Sequence, residues 1–131
     1  GSNELLTALC RREIDELERA YCESGHRGKE GIVIIFDKFI EDTARYPQLV
    51  TQLIYNTITS DNENNPLKSI EGLIARNLDY DPSGETTMLL MGAYYGLINH
   101  YHLYGKPFIG KQMKMEMRRM IDRIIGEPQY D

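Results

Sequence analysis

His100 and His102 are the pair in this chain whose residue type most invites a metal or acid–base reading. Two residues apart on a helix, their side chains point about 160° away from each other. That spacing does not chelate one ion, and neither a His-Glu-x-x-His pattern nor a Cys/His ligand set occurs. Cys10 and Cys22 are the only thiols. A nucleophilic role for either needs a base and an oxyanion hole from other elements, and nothing in the sequence points to one. Both fall on one expected helix, several turns apart, beyond disulfide reach of each other. Glu13, Asp15, Glu16 and Glu18 read as a solvated helix face rather than a poised carboxylate pair. Glycines at 25, 28 and 31 precede a helix, but no Lys-Ser/Thr follows to complete a phosphate loop. No enzyme, metal or cofactor is expected on these grounds.

What stands out instead is side chains that make adaptable apolar pockets. Nine tyrosines, six methionines and three phenylalanines occur without a tryptophan, so a small apolar or aromatic ligand becomes a reasonable expectation. For each of them taken singly, plain core packing is the competing reading.

The 131 residues suit one domain with a sizeable core. Gly1-Ser2 reads as the remnant of tag cleavage, which leaves a domain over residues 3–131. A net charge of -5 argues against a nucleic-acid surface on this piece. Lys106, Lys111, Lys114, Arg118, Arg119 and Arg123 cluster weakly, but Glu116, Asp122 and Glu127 dilute them into a solvated face. The two cysteines and the lack of a secretory signal suggest a reducing, cytoplasmic setting. The run Met88–Tyr104 comes nearest to a membrane span, yet it is short and carries Asn99, His100 and His102. No membrane partner is expected.

Six helices and no strand account for the hydrophobic periodicity. The first covers about 3–23, with Leu6, Cys10, Ile14, Leu17 and Tyr21 on one face, and breaks at Gly25–Gly28. The second covers about 29–45, where Ile32, Ile35, Phe36, Phe39 and Ile40 keep the helical period. Pro47 opens the third, whose stripe is Leu49, Val50, Leu53, Ile54 and Thr57. After the polar loop 61–65, Asn65 caps the fourth, with Leu67, Ile70, Ile74 and Leu78. Asp81-Pro82-Ser83-Gly84 is a turn and cap ahead of the fifth, which stops at Gly105. The sixth covers about 110–125, with Met113, Met117, Met120, Ile121 and Ile124, and ends at Gly126 and Pro128. The expected fold is an all-α six-helix bundle.

The fifth helix carries two stripes. One holds Leu90, Ala93, Tyr94, Leu97 and Tyr101; the other holds Met88, Met91, Tyr95 and Ile98. A helix with one wet face needs a single stripe. A chain this short is expected to need a second copy to cover both.

Three local patterns resemble the C-terminal domain of TetR-family transcriptional regulators. Asn3-Glu4-Leu5-Leu6 resembles the passage from the family's DNA-binding module into its long connecting helix. Tyr46-Pro47-Gln48-Leu49 with Leu53 resembles an x-Pro-x-Leu helix start. Gly92-Ala93-x-x-Gly96-Leu97, with Tyr104-Gly105, resembles the long dimerisation helix. The order and lengths of the helices agree across nearly the whole chain. The family's N-terminal helix-turn-helix is missing, so the resemblance implies a piece that dimerises and binds an effector, with DNA reached only through the missing module. It implies a homodimer through the last two helices, using Leu89, Gly92, Ala93, Gly96, Leu97, Met117, Met120, Ile121 and Ile124. A charge at Leu97 or Ile121 is then expected to break it. It places the effector between the first four helices and the inner face of the fifth. Phe36, Phe39, Ile40, Ile54, Met88, Met91 and Tyr95 are the expected wall, with Asn99 or His102 as polar anchors. Effector binding would displace the first helix and alter operator affinity, provided the ligand prefers one state over the other.

Two other readings stay open. One is a stand-alone helical homodimer serving as scaffold or adaptor, without a regulatory ligand. The other is a helical enzyme, which should bring perturbed titratable groups together in a cleft.

Overall fold

A computed structural model describes residues 1–59, 63 and 65–126, and the side chains of all of these except Ser2 and Asn3. Asp61, Asn62 and Asn64 of the expected polar loop, and Pro128, lie outside the described residues. Among the described residues there are six helices and no strand: α1 (Ser2–Ser24), α2 (Gly28–Arg45), α3 (Pro47–Thr59), α4 (Leu67–Ala75), α5 (Glu85–Leu103) and α6 (Gly110–Ile125). None is long and apolar enough to cross a membrane.

α2 is the central post, packed on α1, α3 and α6, while α5 packs on α4 and α6. Its sequence explains the position. Ile32, Ile35, Phe36 and Ile40 are fully buried, and Gly31, Val33, Phe39 and Thr43 widen the buried surface past one face. Removing each large apolar side chain from water contributes roughly 1.5–3 kcal/mol. Phe36, Phe39 and Tyr94 stack at the middle, with ring centroids 5.0–6.3 Å apart. The Tyr94 hydroxyl, inside that apolar stack, shares a 2.7 Å hydrogen bond with Thr43, whose hydroxyl also reaches the Phe39 carbonyl at 2.7 Å.

The ends of the helices are set by local chemistry. α1 stops because Gly25 takes a left-handed conformation at φ 71°, which glycine adopts without steric cost. At α4, Asn65 Oδ1 accepts from the Leu67 N–H at 3.0 Å, while its Nδ2 donates to the Thr57 carbonyl at 2.7 Å. At α5, Asp81 accepts from the Thr86 and Thr87 N–H groups at 3.0 and 3.1 Å and from the Thr87 hydroxyl at 2.7 Å. These bonds, the Thr87 hydroxyl foremost, hold the Asp81 carboxyl below its ordinary range.

Two residues of the C-terminal basic cluster, Lys114 and Arg118, form solvent-exposed ion pairs with α2, and Asp122 of the same helix forms a more sheltered one. Lys29–Asp122 at 2.5 Å, Lys114–Glu41 at 2.5 Å and Arg118–Glu30 at 2.7 Å stitch α6 to α2. The first is the most sheltered of the three; pairs as exposed as the other two contribute little.

The expectation for α5 changes in one respect. Leu90, Tyr94, Leu97 and Tyr101 are buried, but so are Met91 and Ile98 of the second stripe. The chain covers most of both stripes itself, because α4 and α6 flank α5 while the α2 aromatics meet Tyr94. The part left open is Met88, the first member of the second stripe, 56% exposed, and beside it a strip of Leu89, 59% exposed, Gly92 and Gly96.

Candidate functional site

The open strip of α5 forms one side of a groove whose other side is α6. Its first stretch, about 620 Å³, is lined by Glu85, Met88, Leu89, Gly92, Ala93, Met120, Arg123 and Ile124. It continues for about 370 Å³ along Ala93, Gly96, Leu97, His100, Glu116, Arg119 and Met120. The floor is largely apolar, and it is low where Gly92, Ala93 and Gly96 of α5 face it. The rim carries both signs of charge.

A second depression lies on the opposite flank of the same strip. Met88 and Gly92 form its near edge, and Ile58, Leu67, Glu71, Met91 and Tyr95 complete a trough of about 270 Å³ between α4 and α5. Glu71 is its only charged lining residue among the described residues. Burial, and the charge of Glu71 beside it, push the Tyr95 hydroxyl up to about 12.

Behind Leu67 lies an enclosed cavity of about 30 Å³, the size of a water molecule. α1, α2, α3 and the first residue of α4 surround it, with Ile14, Phe39, Val50, Leu53 and Ile54 as apolar walls. Its polar side is Cys10, Glu13, Asp42 and Thr57. The Thr57 hydroxyl donates to Cys10 Sγ at 3.2 Å, and burial pushes the thiol up, so it stays protonated. Glu13 Oε1 and Asp42 Oδ2 are sealed from solvent, and no N–H or hydroxyl among the described residues reaches either oxygen. The Glu13 and Asp42 carboxyl groups are hydrogen-bonded to each other, which requires a proton between them. Burial and the Asp42 carboxylate push Glu13 up to about 8. Lys38 compensates Asp42 from outside, 3.1 Å from its other oxygen.

Glu13 was expected on a solvated face, and here the structure corrects the reading. It sits three residues after Cys10 and four before Leu17, on the edge of the buried stripe of α1. Asp42 sits in the same way, three after Phe39 and one before Thr43. Acidic residues in core phase on two neighbouring helices were the available signal.

The expected effector wall is not one wall. Phe36 and Ile40 are fully buried in packed core, because the Phe36–Phe39–Tyr94 stack fills the space between α2 and α5. Phe39 and Ile54 line the enclosed cavity, whereas Met88, Met91 and Tyr95 line the outer trough. Asn99 and His102 are exposed near the end of α5 and line neither space.

The expected interface residues divide in the same manner. Leu89, Gly92 and Gly96 are exposed, and Ala93, Met120 and Ile124 are half-buried beside them along the groove. Leu97, Met117 and Ile121 are at most 5% exposed, buried at the seam between α5 and α6 of the same chain. They have almost no area left to give a second copy. Helical phase alone does not separate the two seams, since both fall on apolar positions of the same two helices. Met88, Arg123, Glu85 and His100 border the groove and were not expected there.

Compared with protein-family models, with curated proteins and with solved structures, the chain matches none of them.

Proposed function

We propose that this chain is the effector-binding and homodimerisation domain of a TetR-like transcriptional regulator, dimerising through α5 and α6 and reaching DNA only through a separate helix-turn-helix module. The observation that carries the reading is the open α5/α6 groove. Leu89, 59% exposed, stands beside Gly92, Gly96, Met120 and Ile124 on an apolar helix-pair face that none of the described residues covers. A second copy related by a two-fold axis would bury it as a four-helix contact, with the small residues letting backbones approach. The spaces against α5 and behind Leu67 support an effector site on the inner side. α1 borders the inner space through Cys10, Glu13 and Ile14, so a ligand there would bear on the helix expected to lead to the DNA-binding module.

The stand-alone scaffold reading draws on one observation. The enclosed cavity holds about 30 Å³, far below the space an organic effector fills, so a ligand must open it.

Spin labels test the proposal. A nitroxide on Leu5→Cys, in a Cys22→Ser background, gives one accessible label per chain, since Cys10 is buried. A two-fold dimer gives a single inter-label distance that a bound effector shifts. Loss of all dipolar coupling at about 100 μM protein, well above the dissociation constant of an obligate dimer, would contradict it.

A further inference from the structure

We infer that the effector is an organic monocation with an apolar body, its ammonium head seated between Glu13 and Asp42 in the enclosed cavity and its body lying in the trough between α4 and α5. This deepens the proposed function and rests on the reading that the chain binds an effector.

The two spaces are neighbours. Leu67 lines both, as the first residue of the short helix α4. Tyr95 borders the trough and interacts electrostatically with Glu71 on one side and with Cys10, inside the cavity, on the other. Displacing the Leu67 side chain joins trough and cavity into a single space with Glu71 at the mouth and the Glu13–Asp42 pair at the floor.

The charge of that space has one sign. Among the described residues Glu71, Glu13 and Asp42 are its acidic lining residues and no lysine or arginine lines either part, Lys38 meeting Asp42 from outside. A ligand anion would meet carboxylates at both ends. A neutral ligand would leave the two inward carboxyl oxygens as they are. A cation takes the place of the single shared proton and donates to both carboxyl groups at once. The walls contributed by Ile58, Met88, Met91 and Ile54 match an apolar body, and methionine adapts to its shape.

Seating the cation changes the proton count. Without ligand, Glu13 holds the shared proton near neutral pH, because burial and Asp42 push it up to about 8. The groups around it are Asp42 and Lys38 from α2, Cys10 and Glu16 on α1, and Tyr94 from α5; α3 offers the Thr57 hydroxyl. Cys10 and Tyr94 are both pushed up by burial and keep their protons, and Lys38 is raised and stays cationic. The proton that leaves is therefore that of Glu13. One ammonium enters, one proton departs to buffer, and the net charge of the site is unchanged.

The test uses three matched probes on the intact chain: 4-phenylbutylammonium, 4-phenylbutan-1-ol and 4-phenylbutyrate. Methionine methyl resonances separate the two places: Met91 lines the trough and not the dimer groove, Met120 lines the groove and not the trough, and Met88 borders both. The amine is expected to shift Met88 and Met91 saturably, at least about tenfold tighter than the alcohol, with the carboxylate weakest. Calorimetry at neutral pH in two buffers of different ionisation enthalpy should show close to one proton released, and affinity should rise between about pH 6.5 and 8.5. Glu13→Gln should abolish proton release and the preference for the amine. Glu71→Gln, at the surface, should weaken the amine while leaving proton release intact. Equal binding of the three probes overturns the inference. So does amine binding without proton release, or no shift of Met88 and Met91 up to about 10 mM amine. Light scattering on the same samples separates the two claims. A dimer that ignores the amine removes this site and leaves the regulator reading; a monomer that binds the amine does the reverse.

Discussion

The Tyr21 hydroxyl donates to Asn77 Oδ1 at 2.9 Å, joining the last turn of α1 to a residue two positions past the end of α4, 56 positions on. The same oxygen accepts from the Gly28 N–H at 2.9 Å, and Asn77 Nδ2 donates to the Leu73 carbonyl at 2.8 Å. One buried amide thus closes the turn between α1 and α2 and the end of α4. Asn77→Ala leaves a buried hydroxyl and an N–H without their acceptor and should cost about 2–4 kcal/mol in urea denaturation.

Gly31 packs against this node. A methyl group there would stand 2.9 Å from Tyr21 Cε1, 3.0 Å from Asn77 Oδ1 and 3.2 Å from the His26 carbonyl oxygen. Gly31→Ala should therefore destabilise the chain by about 1–3 kcal/mol, against the usual gain from glycine-to-alanine in a helix. A rise in melting temperature would show that the turn can move aside.

The contrast between these residues explains what the sequence made legible. Helix positions and ends followed from local signals: the Ile32–Ile40 period, Pro47, Asn65, the Asp81 cap and Gly25 all act within a turn of themselves. Asn77 and Asp42 escaped notice, and Glu13 was read as solvated, because their partners are distant in the chain or protonated. In a sequence, a buried Asn and a surface Asn look alike. The division of α5 and α6 between an internal seam and an open groove was illegible for a related reason. Leu97 and Leu89 are both apolar and lie about two turns apart, and only the placement of α6 decides which one is covered.

Stability should fall as pH rises through neutrality. Unfolded, Glu13 ionises near 4.5; folded, it holds its proton until about 8. Between those values the folded chain binds the extra proton, so its contribution is complete below about pH 4.5 and is lost as pH rises through about 8. Burial raises Asp37 also, which acts in the same direction. Glu13→Gln, whose amide can donate to Asp42 at every pH, should remove most of the fall. Melting curves of the two proteins at pH 5 and pH 8.5 would check it; an identical slope in both would place the effect elsewhere.

The start of α5 depends on Asp81. Asp81→Ala removes the acceptor of two backbone N–H groups and of the Thr87 hydroxyl. A drop of a few degrees in melting temperature and faster amide exchange over Glu85–Leu89 are expected, with Asp81→Asn recovering much of both. Because Met88 and Leu89 follow directly, the same change should loosen the open strip.

Leu97→Asp and Ile121→Asp no longer serve as clean tests of association. Both residues lie in the α5/α6 seam of a single chain, so a carboxylate at either should unfold the protomer by roughly 3–5 kcal/mol. Loss of helical circular dichroism, before any question of dimerisation, is the expected outcome.

The covering of the α5/α6 groove by a second copy is tested most directly by the mass of the chain in solution. Sedimentation equilibrium should give twice the 15.2 kDa chain mass for the unaltered protein. Leu89→Glu and Met120→Glu, at the open groove, should each give the single-chain mass with helix content unchanged. A single-chain mass for the unaltered protein at about 100 μM, or an undiminished dimer in both variants, would contradict the account.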